Sequence, residues 1–260
     1  MSKKRLIPKL LLHSNAKCTN LNLVITKKYT DIIEVGSPVS MAKIYQAQGA
    51  DELIFTNIDT KITDLKILAD IIEKVSEEIF MPITVGGGVK NISDFRLLLN
   101  SGADKISINT IALTNPELIS ESAELFGAQC VVVSIDYKVD EDGNYWVYSN
   151  GGQTQTKFNP IEWAIECEKL GAGEILLSNI DNDGMRNGLN NEINKLVSTS
   201  IKIPVIASGG CSLPSHFIDG FKNTEIEAIA AGTFFALKDQ SFQQIRSHIK
   251  NAGIDIRIYS

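Results

Sequence analysis

Apolar runs alternate with amphipathic stretches along the whole chain. The clearest unit runs from Pro82 to Thr110. It has a short apolar run, a break at Gly86-Gly87-Gly88, an amphipathic stretch, and a second apolar run ending Ser107-Ile108-Asn109-Thr110. That order predicts strand, glycine loop, helix, strand. Read the same way, the first half holds strands at Arg5 to Leu12, at Glu52 to Asn57, from Pro82 and from Lys105. The second half holds them at Cys130 to Ile135, Glu174 to Asn179, Ile203 to Ala207 and Ile226 to Ala230. Helical spacing fills Pro38 to Gln48, Asp64 to Glu77, Ser93 to Asn100 and Pro116 to Phe126. It returns at Pro160 to Leu170, Asn191 to Thr199 and Ser241 to Lys250. Two segments fall outside the alternation. Residues 13–37 read as a long loop with a β-excursion at Leu21 to Ile25, and residues 137–158 as an inserted hairpin turning at Asp142-Gly143.

Gly87 and Gly209 lie 122 positions apart, and so do the runs Glu52 to Asp59 and Glu174 to Asp181. Two matches at one offset, close to half of the 260 residues, predict a duplicated half. Strands that are apolar on both faces belong in a parallel sheet covered by helices. The duplication favours closing that sheet. The expected fold is therefore α/β, a single (β/α)8 barrel domain over residues 1–260 built from two similar half-barrels.

Charge and cysteine usage narrow the partners. A net charge of −6 and a pI near 5.2 argue against nucleic acid or an anionic membrane surface, but leave room for one phosphorylated small molecule held locally. Cys18, Cys130, Cys167 and Cys211 are scattered, as in a reducing compartment. The apolar N-terminal run is interrupted by Pro8 and Lys9, and no later stretch has the length of a membrane span. A soluble cytoplasmic protein is expected. His13, His216 and His248 are isolated, so no metal and no cofactor are expected.

In such a barrel the loops after the strands form the active face. Gly87 and Gly88, with Asn109 and Thr110, follow the third and fourth strands. Ser208, Gly209 and Gly210, with Gly232 and Thr233, hold the corresponding places after the seventh and eighth. Glycines let backbone N–H groups approach an anion, so the two sets are either plain tight turns or two phosphate sites. Asp136 ends the fifth strand and is a candidate for moving protons. Asp183-Gly184 follows the sixth strand and either caps a turn or joins the site. At the opposite end Arg5, Glu52, Lys105 and Glu174 each open a strand. Two positive and two negative groups there predict a ring, and Asp104 beside it suggests a gate or docking surface.

The segments RLIP, TVGGGV, GADKISINT, FGAQCVVVSID, LGAGEILL, DNDG and PVIASGG together resemble the cyclase subunit of imidazole glycerol phosphate synthase. The resemblance runs, in order, over nearly the whole chain. It implies a (β/α)8 barrel with two phosphate sites and a glutaminase subunit docked on the N-terminal face. It also implies that ammonia enters through a charged gate and reacts at the C-terminal mouth. By that resemblance Arg5, Glu52, Lys105 and Glu174 form the gate, and Asp104 contacts the glutaminase. Gly88, Asn109, Thr110, Asp183, Gly184, Ser208, Gly209 and Gly210 would bind substrate.

One position departs sharply. The family's two catalytic aspartates end strands 1 and 5; Asp136 matches the second, but Leu11 stands at the first. Losing a general acid or base costs roughly 10²- to 10⁴-fold in rate. Asn57 stands at a usual aspartate, Phe235 at a usual histidine, and the first loop lacks the GRVVKG pattern. The IPxLLL strand resembles the paralogue of surface-polysaccharide and flagellin-sugar pathways, where a similar barrel and glutaminase feed ammonia to a sugar amidotransferase. The expectation is an ammonia-conducting subunit serving acetamidino-sugar formation. The alternatives are a genuine cyclase of histidine biosynthesis, and a non-catalytic scaffold that binds a phosphorylated ligand or activates its glutaminase.

Overall fold

The apolar runs pair into eight parallel strands that close on themselves. The computed structural model describes residues 3–14, 21–59, 64–237 and 241–257. The first half begins with β1 (Arg5–Ser14), β2 (Leu21–Lys27), β3 (Thr30–Gly36), α1 (Pro38–Ala47), β4 (Leu53–Asn57) and α2 (Leu65–Ser76). It continues through β5 (Ile83–Gly86), α3 (Ile92–Asn100), β6 (Lys105–Ile108), α4 (Thr110–Thr114) and α5 (Glu117–Phe126). The second half opens with β7 (Val131–Val139), β8 (Tyr145–Ser149), β9 (Thr154–Gln155), α6 (Pro160–Lys169) and β10 (Glu174–Asn179). It ends with α7 (Asn191–Ser200), β11 (Val205–Ser208), α8 (Pro214–Asn223), β12 (Ala228–Ala231), α9 (Thr233–Leu237) and α10 (Phe242–Asn251).

The parallel order is β1-β4-β5-β6-β7-β10-β11-β12, and β12 pairs back onto β1. This is the expected (β/α)8 barrel. Local chemistry starts the helices: Asp64, Asn91 and Asn190 accept backbone N–H groups at the caps of α2, α3 and α7. Ser241 and Gln244 form a reciprocal capping box on α10.

The core has two shells. The larger lies between strands and helices, with Trp163, Phe95, Phe217 and Phe242 fully buried in it. The smaller fills the barrel axis with Ile7, Ile54, Val132, Leu176, Ile206, Ala228 and Ala230. The half-repeat is visible at atomic level. Gly87 and Gly209 both have φ near +100°, and a Cβ on either would collide with the carbonyl of the asparagine ending the preceding strand, Asn57 or Asn179.

Three expectations change. Residues 13–37 are not a loop throughout: β1 runs on to Ser14, and β2 and β3 form an antiparallel hairpin paired onto β1. The β-branched runs on either side of Lys28-Tyr29 supply it. The stretch between the seventh and eighth strands holds α8, opened by Pro214 at its first turn. The 137–158 insertion is a hairpin as expected, but β7 extends to Val139 to form its first arm. Cys18 lies outside the described residues.

Candidate active site

Strand alternation sends residues 5, 7, 9 and 11 of β1 to one face, here the barrel interior. Along the axis this stacks an ionic ring, an apolar layer, a polar belt and the C-terminal mouth.

Arg5, Glu52, Lys105 and Glu174 meet in a closed ring at the N-terminal end. Arg5 reaches Glu52 at 2.6 Å and Glu174 at 2.5 Å; Lys105 reaches Glu52 at 3.1 Å and Glu174 at 2.8 Å. Each carboxylate accepts from both cations. Burial alone would raise the Glu52 pKa, but Arg5 and Lys105 outweigh it and hold the carboxyl below its ordinary range. Burial opposes the charge on Lys105 too, and Glu174 and Glu52 outweigh it to raise the ammonium pKa. The sequence placed these four residues at strand starts, and the structure joins them. Asp104 is exposed beside the ring, where its carboxylate accepts the Ile83 N–H at 2.7 Å.

At the other end Asp136 is buried at the top of β7. Its carboxylate accepts from Tyr29 Oη at 3.1 Å, Ser134 Oγ at 3.2 Å and Asn109 Nδ2 at 2.9 Å. Burial pushes its pKa up, while Lys9 and the Tyr29 and Ser134 hydroxyls pull it back. Asp183 accepts from Thr26 Oγ1 at 2.5 Å, and burial raises its pKa too. Leu11 carries no charge into the mouth, so Asp136 faces no carboxylate partner from β1.

The two glycine sets part company. Ser208, Gly209, Gly210, Gly232 and Thr233 line one cavity of ≈ 30 Å³ with Asp183 and Gly184. Asn109 instead donates to Asp136, and Thr110 Oγ1 accepts the Asn150 N–H of the β8–β9 turn at 3.0 Å. Gly87 and Gly88 make the turn after β5 and do not line that cavity. The small volume has a clear origin. Val24, Ile25 and Thr26 of the β2–β3 hairpin line the same cavity and narrow it.

Sequence reasoning missed Lys9, Thr26, Tyr29 and Ser178. Lys9 donates to Ser178 Oγ at 3.2 Å and lines the cavity. Parity with Arg5 along one strand was the available signal for it. Tyr29 had no such signal, because its place depends on the hairpin folding back. Among the described residues no cluster of His, Cys, Asp or Glu could hold a metal ion, and no helix is long and apolar enough to cross a membrane. Phe235 is buried against Phe242, with ring centroids 4.2 Å apart.

A closed parallel barrel with an ionic ring at one end and a glycine-lined mouth at the other defines a (β/α)8 enzyme-type scaffold. The family it belongs to is that of the histidine biosynthesis proteins, whose profile matches residues 7–240. Imidazole glycerol phosphate synthase subunit HisF of Clostridium botulinum (strain Langeland) is 42% identical over 259 residues, covering 99% of this chain and 100% of the relative. The HisF subunit of Hydrogenobaculum sp. is 41% identical over 258 residues, with 99% and 100% covered. A provisionally named hisF2 subunit of the same synthase in Prochlorococcus marinus is 42% identical over 260 residues, 99% of each chain. The chain is thus a HisF-like cyclase-subunit barrel. These names favour the histidine-pathway alternative over the surface-glycan role expected from strand 1, since none of them points to a glycan pathway.

Proposed function

We propose that this chain is the ammonia-accepting synthase subunit of a glutamine amidotransferase of the imidazole glycerol phosphate synthase type. The observation that carries the reading is the closed ring of Arg5, Glu52, Lys105 and Glu174. It stands at the entrance to an apolar interior that leads to Asp136 and a glycine-lined cavity. Neutral ammonia crosses an apolar layer at far lower cost than ammonium, so a gate that excludes cations and water suits that cargo. The glutaminase subunit docks at the strand N-termini. Asp104 is exposed there, Phe80 is 96% exposed, and a groove of ≈ 700 Å³ runs beside them between Gln46 and Arg257.

The relatives are subunits of imidazole glycerol phosphate synthase, and the acceptor that the family resemblance implies is the nucleotide-derived substrate of the histidine-pathway cyclase. In that reading Asp136 moves protons, and the Ser208–Gly210 and Gly232–Thr233 turns hold a phosphate. A second reading is favoured specifically by Leu11: the barrel delivers ammonia to a different phosphorylated acceptor, as in acetamidino-sugar formation with a sugar amidotransferase at the C-terminal face. The two are separated by supplying the purified chain with ammonium and the histidine-pathway nucleotide. Turnover comparable to a family member with both aspartates establishes the cyclase. Turnover at least roughly a hundredfold lower, partly restored by Leu11→Asp, supports the second acceptor.

A further inference from the structure

The mouth gathers one cation and two carboxylates around a single tyrosine. Lys9 is the inward residue of β1 between Ile7 and Leu11, and it lines the cavity together with Asp183. Its ammonium donates to Ser178 Oγ at 3.2 Å and lies 5.7 Å from the centroid of the Tyr29 ring. Both of those residues adjoin Asp136. Ser178 is its register partner across the β7–β10 pairing, and the Tyr29 hydroxyl donates to its carboxylate at 3.1 Å. Asp183 is tied to the same tyrosine, whose backbone N–H lies 3.5 Å from its carboxylate. Lys9, Asp136 and Asp183 therefore form one cluster, with one positive group serving two negative ones.

The other neighbours of Asp136 bring no charge. Asn109, which follows β6, and Ser134 on β7 are neutral donors. Tyr148, opposite Asp136 on β8, turns its hydroxyl to Gln155 Oε1 at 3.1 Å, and Leu11 adds no charge from β1. Two carboxylates at one site repel each other, and withdrawal from water penalises each charge. Burial, with Asp183 beside it, accordingly favours the protonated form of Asp136, and Lys9 opposes both. Burial acts on Asp183 in the same direction, again against Lys9. A carboxyl group accepts a proton only while it is ionised. We propose that Lys9 is a positioning residue whose charge holds Asp136 in the ionised, proton-accepting form. This rests on the reading of Asp136 as the group that moves protons. It adds what makes that group a base in a chain whose first strand carries Leu11.

The test reads ionisation on the whole chain, by following the carboxyl-carbon NMR resonance of Asp136 against pH. Its loss in Asp136→Asn identifies it. Lys9→Met should raise the titration midpoint by at least about one pH unit, as removal of a nearby opposite charge does. Lys9→Gln, which can keep the hydrogen bond to Ser178, should raise it as much, whereas Lys9→Arg should hold it near the wild-type value. Asp183→Asn should move it down, because a like charge is relieved. Thermal melts show that each variant is folded and give a second reading. Lys9→Met should lose more stability relative to wild type at about pH 8 than at about pH 5, since the attraction exists only where the carboxylates are ionised. Midpoints in Lys9→Met and Lys9→Gln that match wild type overturn the assignment. So does an equal rise in Lys9→Arg, which would make packing the cause. Unchanged ammonium-dependent turnover in Asp136→Asn is a separate result: it would overturn the reading of Asp136 as the base and leave its pairing with Lys9 standing.

Discussion

Asp136 carries a conflict between burial and ionisation. Its carboxylate is buried and satisfied by three donors, from Tyr29, Ser134 and Asn109, yet burial still pushes its pKa up. A raised carboxyl pKa in the folded state means the folded chain holds that proton longer than the unfolded chain. The contribution of Asp136 to stability is therefore greatest below the ordinary carboxylate range. It falls as pH rises through the raised folded value. Asp136→Asn mimics the protonated form, and the buried, unpartnered Oδ1 of Asn109 can accept the new amide if that side chain flips. The variant should melt roughly 2–4 °C above wild type near pH 7.5, with the difference closing towards about pH 4. Scanning calorimetry at both values checks it; a variant less stable than wild type at the higher pH would show that the carboxylate is stabilised by its donors more than it is harmed by burial.

At the scale of elements the β2–β3 hairpin stands apart from the barrel. The outer strand β3 is mostly exposed, including Ile32 and Ile33, whereas β2 is buried over the mouth. Four attachments hold the tip down: Thr26 Oγ1 to Asp183, Lys28 N–H to the Asp183 carbonyl at 2.9 Å, Tyr29 N–H to the Asp183 carboxylate at 3.5 Å, and Tyr29 Oη to Asp136. Gly184 permits this approach, since at φ +67° a Cβ would collide with the Thr26 carbonyl. Gly184→Ala should therefore lift the hairpin without unfolding the barrel. Hydrogen exchange should rise at least about tenfold in residues 23–33 and stay unchanged in β5, β6 and β11. Exchange that rises throughout the barrel would mean that the hairpin is part of the global cooperative unit. The same hairpin marks where the sequence ran short. The eight barrel strands were legible because each is buried on both faces, and so reads as an apolar run. The hairpin pairs one buried strand with one exposed strand, around the left-handed residues Lys28 and Tyr29, and left no clean period. The ring at Arg5, Glu52, Lys105 and Glu174 was legible from charge at strand starts. Lys9 was not, because one cation inside an apolar strand looks like an interruption until the strand's inward face is known.

For the whole molecule the two ends of the barrel differ, and the N-terminal end presents two kinds of side chain, charges paired inward and residues that face outward. The ring turns its charges onto one another, and Arg5, Glu52 and Glu174 are buried. Phe80 and Asp104 face outward at the start of neighbouring strands, with the Gln46–Arg257 groove beside Phe80. A partner that caps this end gains most from covering the large apolar side chain, because a desolvated aromatic in a packed interface is where binding energy concentrates. The inward charges are already paired and have little left to give across an interface. Phe80→Ala should therefore weaken binding of a histidine-pathway glutaminase at least about tenfold, while Lys105→Met, whose ammonium points into the ring, should leave it within about threefold. Binding is measured by titration calorimetry with the intact subunits. If Phe80→Ala binds as wild type does and Lys105→Met is the one that fails, the partner reads the ring itself, and the outward face at Phe80 is not where it docks.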